Sequence, residues 1–308
     1  MGKAPKMAEY KRLGWHGVVL DVPWDWEVTS ESGGKREAYF RMDDALQSRM
    51  EVKWERMERR TAPLTLILDN MIEKMRKDRR QLRKAKVLSR GSSKIGEHTG
   101  SYIIWQNGGK AIATSWYCDA AQRLYLIQFF FKPEREKAET ELIEMMLKSI
   151  VCHGAEDMAL WTVLDVQFEL PRELALESRK LLVGRSHMLF TSKDVSLLID
   201  WHGFASGLLE KSGSLRKWFE GRPVQDISKA LKIKIPPAQE TGEALGYRIS
   251  QKGLVGGPTL ILGHVWHVRD MNKLFTAFMK HGGKGTDPEG QFERILGSFK
   301  KVSPIVHR

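Results

Sequence analysis

The densest group of charged side chains in this sequence is a basic run between Lys74 and Lys86. It holds eight lysines and arginines against one acid, in a chain whose formal net charge is +12. Met71 and Met75 continue an apolar helical stripe, so on a helix the basic side chains would form a positively charged ridge on the wet side. The residues we expect to make contacts there are Arg76, Arg79, Arg80, Arg83 and Lys84.

Such a ridge has several possible partners. It can bind a phosphate backbone, an acidic protein or an anionic membrane surface, or it can be an ordinary solvated helix face. The sequence has no recognised nucleic-acid motif, such as paired zinc ligands or an aromatic-rich RNA-binding signature. We therefore predict an acidic protein partner, with nonspecific nucleic-acid binding as the first alternative.

Histidines and cysteines could bind a metal, but their spacing does not favour a site. His264 and His267 fall in a predicted strand, where residues three apart point to opposite faces. Cys118 and Cys152 are the only cysteines, which is too few for a disulfide framework or a cysteine-rich zinc site. We expect two reduced, buried thiols, and the sequence predicts neither a metal nor a cofactor.

Patterns typical of catalysis are also weak. Residues 282–286 are similar to a phosphate loop, but Phe278 occupies the place of the leading glycine, so we interpret them as a glycine-rich turn. Asp43 and Asp44 fit the tip of a hairpin, and no serine, histidine and aspartate stand in the context of a nucleophile. We predict no catalytic residue. An enzyme with a cleft between the two halves of the chain is the second alternative.

The elements that hold these residues can be predicted from periodicity. In the first half, residues 50–54 alternate between apolar and charged, as in a half-buried strand of an antiparallel sheet. From residue 61 to about residue 86 the period is that of a helix. Turn signals at 91–93 and 108–109 separate segments rich in aromatic and β-branched residues, and an amphipathic helix closes this half.

The same order of elements returns in the second half, at an offset of 146 to 150 residues. Three matching pairs of segments are 22–28 with 170–176, 50–54 with 197–201, and 96–100 with 242–246. A repeat of this length corresponds to one ordinary domain. The sequence therefore predicts two tandem domains, residues 1–153 with the long basic helix and residues 154–308, with an interrupted helical region in the second.

Tryptophans also fall at matched places in the two halves. Trp54 matches Trp201, and Trp116 matches Trp266. Matched aromatic residues in repeated domains mark shared core positions more often than a repeated ligand site. The predicted fold class is α+β, with two tandem α/β/α sandwich domains, each a mainly antiparallel sheet flanked by helices.

Short anchors in each half carry a resemblance to a known fold. Residues 22–26 end a strand in hydrophobic-Pro, residues 96–100 form a Gly-x-x-x-Gly turn, and residues 147–150 end a helix. This order resembles the fold shared by the PsbP extrinsic subunit of photosystems and the Mog-type Ran-binding proteins. The resemblance implies an α/β sandwich in both halves and a group whose members mostly bind other proteins. No motif for a Ran-binding surface or a PsbP ion site is present.

Composition bounds the remaining possibilities. The chain is 42% hydrophobic and 29% charged, as in globular proteins, and its longest apolar runs are far below a membrane span. The first residues lack the apolar stretch of a secretory signal, so we expect a cytoplasmic chain. The predicted function is a non-enzymatic binding or assembly module that contacts an acidic protein through its basic helix.

Overall fold

The computed structural model describes residues 9–59, 62–78, 84–131, 136–154, 157–182, 184–237, 239–241, 243–251, 259–282 and 287–306. These residues form two compact units, one of residues 9–167 with 302–306 and the other of residues 168–301. Each unit contains a seven-stranded antiparallel sheet and helices. The fold is therefore α+β with antiparallel sheets, as the sequence predicts.

The first unit begins with a hairpin of β1 (Tyr10–Trp15) and β2 (Val18–Pro23). The strand order of its large sheet is β3 (Glu27–Gly33), β4 (Glu37–Asp43), β5 (Ser48–Arg56), β9 (Arg123–Phe130), β8 (Gly109–Cys118), β7 (His98–Asn107) and β6 (Lys86–Ile95). Helix α1 (Leu64–Asp78) follows β5, and α2 (Glu136–Lys148) follows β9. Strand β6 therefore follows α1 along the chain and lies at the edge of the sheet.

Two later segments of the chain complete the first unit. Strand β10 (Met158–Val163) packs on β1, so the division between the units falls later along the chain than residue 153. Ile305 forms a two-way backbone bridge with Tyr10, in which Tyr10 N–H donates at 3.0 Å and Ile305 N–H donates at 2.7 Å. The first unit therefore combines residues from the two ends of the described chain.

The core of the first unit follows the predicted alternation. Met50, Val52 and Trp54 are buried, while Lys53 between them is exposed. On α1, Leu68 and Ile72 are buried against a cluster that includes residues of β7 and β8. Burial of these apolar side chains, at about 25 cal/mol per Å², is what holds the helix on the sheet.

The structure corrects two boundaries in this unit. The predicted helix to residue 86 is too long, because Lys84 lies in a turn, Ala85 is 2% exposed in the core, and β6 begins at Lys86. The predicted turn at 91–93 is also wrong, since these residues lie inside β6. Gly91 allows this strand to lie close to Tyr102, because a Cβ there would stand 2.9 Å from the Tyr102 ring.

The second unit repeats the strand order of the first. Its large sheet has the order β12 (Ala175–Leu182), β13 (Arg185–Thr191), β14 (Val195–Gly203), β18 (Lys273–His281), β17 (Thr259–Val268), β16 (Ala244–Gln251) and β15 (Gln239–Thr241). If the strands of each sheet are numbered from the first strand of that sheet, the two sheets have the same strand order. Two short strands, β11 (Val166–Pro171) and β19 (Lys300–Lys301), neighbour each other in a small sheet.

The helices of the second unit differ from those of the first. Three helices follow β14, namely α3 (Ala205–Ser212), α4 (Leu215–Glu220) and α5 (Arg222–Leu231), and α6 (Pro288–Gly297) follows β18. The predicted interruption of the middle helical region is confirmed. A short 3₁₀ helix, Arg269–Met271, joins β17 to β18. In the part of the chain that the structure describes, no helix is long and apolar enough to cross a membrane.

A matching hydrogen bond closes both units. The Ser149 hydroxyl accepts from the N–H of Asp21 at 2.9 Å, and the Ser298 hydroxyl accepts from the N–H of Glu169 at 2.9 Å. Each hydroxyl also donates to a carbonyl of the last turn of the preceding helix. The serine at the end of each closing helix thus ties that helix to the strand that ends in Pro23 or Pro171.

Candidate functional site

The predicted contact residues divide into three groups in the structure. Arg76 lies on α1 and donates to the carbonyl of Ala85 from Nε at 3.0 Å and from Nη2 at 2.6 Å, while Glu73 accepts from its Nη1 at 2.5 Å. Lys84 is exposed in the turn before β6. Arg79, Arg80 and Arg83 lie outside the described residues. Arg76 therefore fastens the chain after α1 back onto the helix.

Other exposed cations surround this turn and extend along the edge strand. We use the name basic edge for Lys74 and Lys77 of α1, Lys84 of the turn, and Lys86, Arg90 and Lys94 of β6. A groove of about 490 Å³ separates α1 from β6, and Arg90 crosses it to pair with Asp69 at 3.2 Å. The predicted ridge on one helix is thus a surface shared by a helix and a strand.

Strand β6 stands last in the strand order of its sheet. Among the described residues, β7 is its partner on one side, so the main chain on its other side faces no neighbouring strand. The register shifts between Val87 and Ser89, which leaves Leu88 51% exposed. Bulges and lysines of this kind limit unwanted pairing of an exposed edge, while the edge still has free main-chain groups.

A second feature of the first unit brings two cysteines and two histidines together. His98, Cys118, Cys152 and His153 have their ligand atoms within 4.8 Å of one another. Nδ1 of His153 lies 3.3 Å from Sγ of Cys118 and 3.7 Å from Sγ of Cys152, and Nε2 of His98 lies 3.2 Å from Sγ of Cys152. We call these four residues the Cys₂His₂ cluster.

Backbone contacts fix the positions of the Cys₂His₂ cluster. Val151 exchanges two backbone hydrogen bonds of 2.8 Å with Val19, which holds the residue before Cys152 against β2. Gly96, in the turn before His98, donates its N–H to the carbonyl of Leu147 at 2.9 Å. Its φ of +52° and the position of its missing Cβ, 2.1 Å from the Ile150 carbonyl oxygen, require a glycine. The turn therefore brings His98 to the end of α2.

The electrostatics of the cluster favour one ionised sulfur. The hydrogen bond from Cys152 lowers the pKa of Cys118 from 9.0 to about 5, with further lowering by the N–H of Ala121 and by the charges of the two histidines, while burial opposes the change. The same hydrogen bond and burial raise the pKa of Cys152. Each cysteine is 1% exposed and free, so the prediction of two buried thiols is confirmed.

Sequence reasoning missed the histidines beside these cysteines. The one local signal was the adjacent pair Cys152 and His153, because His98 and Cys118 lie 54 and 34 residues earlier. By contrast, His264 and His267 lie in β17 as predicted. Residues 283–286 of the glycine-rich turn are outside the described part of the chain, and Asp43 and Asp44 lie where β4 turns towards β5.

The second unit contains a pocket of about 660 Å³ between its sheet and α5. Arg185 joins the two walls, donating to Asp200 of the sheet at 2.6 Å and to Asp226 of α5 at 2.6 Å. Burial would raise the pKa of Asp200, but hydrogen bonds from His202 and Arg185 lower it below its ordinary value. Both carboxylates are therefore engaged in ion pairs that hold α5 to the sheet.

Comparison with known proteins gives only distant matches. No family model matches the chain, and no curated protein matches it. The cyanobacterial PsbP protein (CyanoP) of Synechocystis sp. PCC 6803 matches with a TM-score of 0.36 and 10% identity, over 50% of this chain and 98% of that protein. The immunity protein TplEi of the T6SS of Pseudomonas aeruginosa matches with a TM-score of 0.35 and 11% identity, over 95% of this chain and 97% of that protein. At these TM-scores neither similarity supports an inference about function.

Proposed function

We propose that this chain is a non-enzymatic binding or assembly module whose basic edge contacts an acidic protein partner. The observation that carries the proposal is the row of exposed lysines on α1, the following turn and β6. Among the described residues, Lys74, Lys77, Lys84 and Lys86 are joined to no acid. Four uncompensated ammonium groups along one surface attract a negatively charged partner and orient it before contact.

The geometry of β6 supports a specific way of docking. An extended acidic segment can add to the open side of an edge strand through main-chain hydrogen bonds, with its side chains meeting those of the strand. On this edge, Lys86 and Lys94 would meet carboxylates, and the exposed Leu88 would meet an apolar side chain. Arg76 is not part of the contact in this proposal, because its guanidinium is already bound to Ala85 and Glu73.

We also propose that the chain consists of two PsbP-like sandwich domains that arose by duplication, and that it is cytoplasmic. The equal strand orders of the two large sheets support the duplication, as do the matching hydrogen bonds of Ser149 and Ser298. A chain truncated after residue 167 that folds on its own would support independent domains. Fractionation of cells carrying the tagged chain tests its location.

The test of the binding proposal is a charge reversal at the basic edge. Lys74, Lys77, Lys84 and Lys86 are replaced together by Glu, and the tagged variant is used to isolate partners from nuclease-treated cell extract. We expect the variant to lose a protein that the wild-type chain retains through a salt wash. In direct titration, this partner, once purified, should bind the wild-type chain about 100-fold more tightly than it binds the variant. Circular dichroism checks that the variant is folded.

The matched control carries the same change of charge at exposed lysines of the second unit. Lys193, Lys211, Lys217 and Lys300 are exposed, and their replacement by Glu should leave partner binding unchanged. Equal loss in both variants would show a general charge effect and contradict the proposal. Binding of generic RNA or DNA that weakens steeply with salt, without any protein partner, would favour the nucleic-acid alternative.

A further inference from the structure

The Cys₂His₂ cluster offers a complete set of ligands for one metal ion. Two thiol and two imidazole groups are the donors of a closed, four-coordinate zinc site, and Zn²⁺ binds them at about 2.3 Å for sulfur and about 2.0–2.1 Å for nitrogen. A tetrahedron with these bond lengths places sulfur and nitrogen about 3.6 Å apart. Three of the four sulfur–nitrogen distances in the cluster are 3.2, 3.3 and 3.7 Å, and all four ligand atoms lie within 4.8 Å of one another. These three pairs are therefore spaced close to what a tetrahedral ion requires.

The orientation of His153 agrees with metal binding. Its Nδ1 faces both sulfurs, while its Nε2 lies 3.7 Å from a carboxylate oxygen of Glu97. Metal-bound histidines commonly donate their second ring N–H to a carboxylate or carbonyl, which fixes the ring and strengthens the ligand. The Glu97 carboxylate lies on that side of the ring, in the same tight turn as Gly96.

Burial distinguishes the two kinds of ligand. Both cysteines are 1% exposed, whereas the His153 side chain is 31% exposed and His98 is half-buried. The cluster is thus closed on its sulfur side and reachable from solvent on its imidazole side. An ion could enter past the histidines without displacement of the core, and four protein ligands would leave no open coordination position for a substrate.

The second half of the sequence provides an internal comparison. The offset of the repeat matches His98 to Ala244, Cys118 to Val268, Cys152 to Lys301 and His153 to Val302. None of these counterparts carries a metal-ligating side chain. The strand order is the same in both sheets, so the fold does not itself require cysteine or histidine at these positions.

We propose that His98, Cys118, Cys152 and His153 bind one structural Zn²⁺ ion in the first unit. The ion would join the start of β7, the end of β8 and the segment after α2, which are separated along the chain and meet at one end of the sheet. This inference is independent of the basic edge, because none of the four ligands belongs to that surface.

The experiment is metal reconstitution of the purified full chain. The protein is reduced, stripped with a chelator, and titrated with Zn²⁺ and, separately, with Co²⁺ as a spectroscopic probe. We expect one ion per chain, the visible absorption of tetrahedral Co²⁺, a thiolate-to-cobalt band in the near ultraviolet, and displacement of Co²⁺ by one equivalent of Zn²⁺. No binding, or Co²⁺ spectra without the thiolate band, would overturn the proposal.

Variants locate the ion. Cys118→Ser should weaken Zn²⁺ binding more than about 100-fold, since loss of an outer partner alone costs 10–100-fold. The matched control, His264→Gln with His267→Gln, removes two histidines of the second unit and should bind one Zn²⁺ as tightly as the wild-type chain. If Cys118→Ser does not fold, the wild-type titration decides the question. A Cys118–Cys152 disulfide that persists under reduction and excludes metal would also overturn the proposal.

Discussion

Equivalent strand ends carry different side chains in the two halves of the chain. In the first unit, Cys118 at the end of β8 meets Cys152 and the two histidines. At the positions that the repeat offset matches to these four residues, the chain carries Ala244, Val268, Lys301 and Val302. The same strand order is thus built with the cluster and without it, and among the described residues the cluster is present in the first unit alone.

The middle segments differ in a related way. In the first unit, α1 covers the sheet with Leu68 and Ile72 and leaves its lysines in solvent. In the second unit, three shorter helices bury Trp218, Phe219 and Ile227 over the equivalent face. The second arrangement buries two aromatic side chains of its helices, Trp218 and Phe219, while the first leaves one long polar helix face available for contact.

Removal of metal is the change that should separate the two units most. If free Zn²⁺ exceeds its Kd a thousandfold, the ion stabilises the first unit by about 4 kcal/mol, which corresponds to about 8–16 °C in Tm. Hydrogen exchange measured by mass spectrometry, with and without a chelator, should show lost protection in the peptides of β7, β8 and α2. Equal loss of protection throughout the second unit would contradict this prediction.

Two glycines of the first unit should respond unequally to substitution. Gly96 and Gly108 both have positive φ, +52° and +77°, but only at Gly96 would a Cβ meet another atom, the Ile150 carbonyl oxygen at 2.1 Å. We expect Gly108→Ala to cost about 1 kcal/mol, because the left-handed conformation disfavours a side chain, and Gly96→Ala to cost about 3 kcal/mol or more. Denaturant unfolding measures both. Similar costs would show that the Gly96 turn relaxes freely.

Two serines should respond equally, which tests the likeness of the units. Ser149→Ala and Ser298→Ala each leave one backbone N–H, of Asp21 or of Glu169, without its hydroxyl acceptor. Loss of such a partner costs about 1–2 kcal/mol of unfolding free energy. Thermal unfolding of the two single variants and of the double variant measures the costs and their additivity. A cost at one serine and none at the other would break the correspondence of the helix ends.

The smallest predicted effect concerns pH and the second unit. Burial lowers the pKa of His187 and of His264 below the ordinary value of 6.5. The unfolded chain therefore binds more protons than the folded chain as pH falls below about 6.5, so stability should decrease in that direction. His187→Gln and His264→Gln should each make Tm depend less on pH between 7.5 and 5.5. Unchanged slopes would mean that the rings are as solvated as in the unfolded chain.

Local patterns predicted the strand that contains residues 50–54, the closing helices and the interrupted middle segment, because each depends on side-chain periodicity over a short stretch of sequence. They failed at β6, where Gly91 and two serines resemble a turn but instead lie beside Tyr102 in a neighbouring strand. The Cys₂His₂ cluster could not be predicted, because it depends on the pairing of β7 with β8 and on the contact of Gly96 with the end of α2.

The basic run was predicted by composition, but its geometry was not. Counting charges along a single helix placed Lys84 and Arg76 on the same exposed ridge. In the structure the chain returns to the sheet at Ala85. Arg76 therefore donates to the carbonyl of Ala85, and Lys86 begins a strand.

The bridge between Tyr10 and Ile305 has a consequence for the order of events during synthesis. At about 5–20 residues per second, roughly 15–60 s separate the emergence of β1 from that of its last partner. The second unit is therefore translated in full before Tyr10 gains this partner. The first unit starts folding first and completes its last bridge at the end, so a ribosome that stalls within the second unit leaves Tyr10 without its bridge to Ile305.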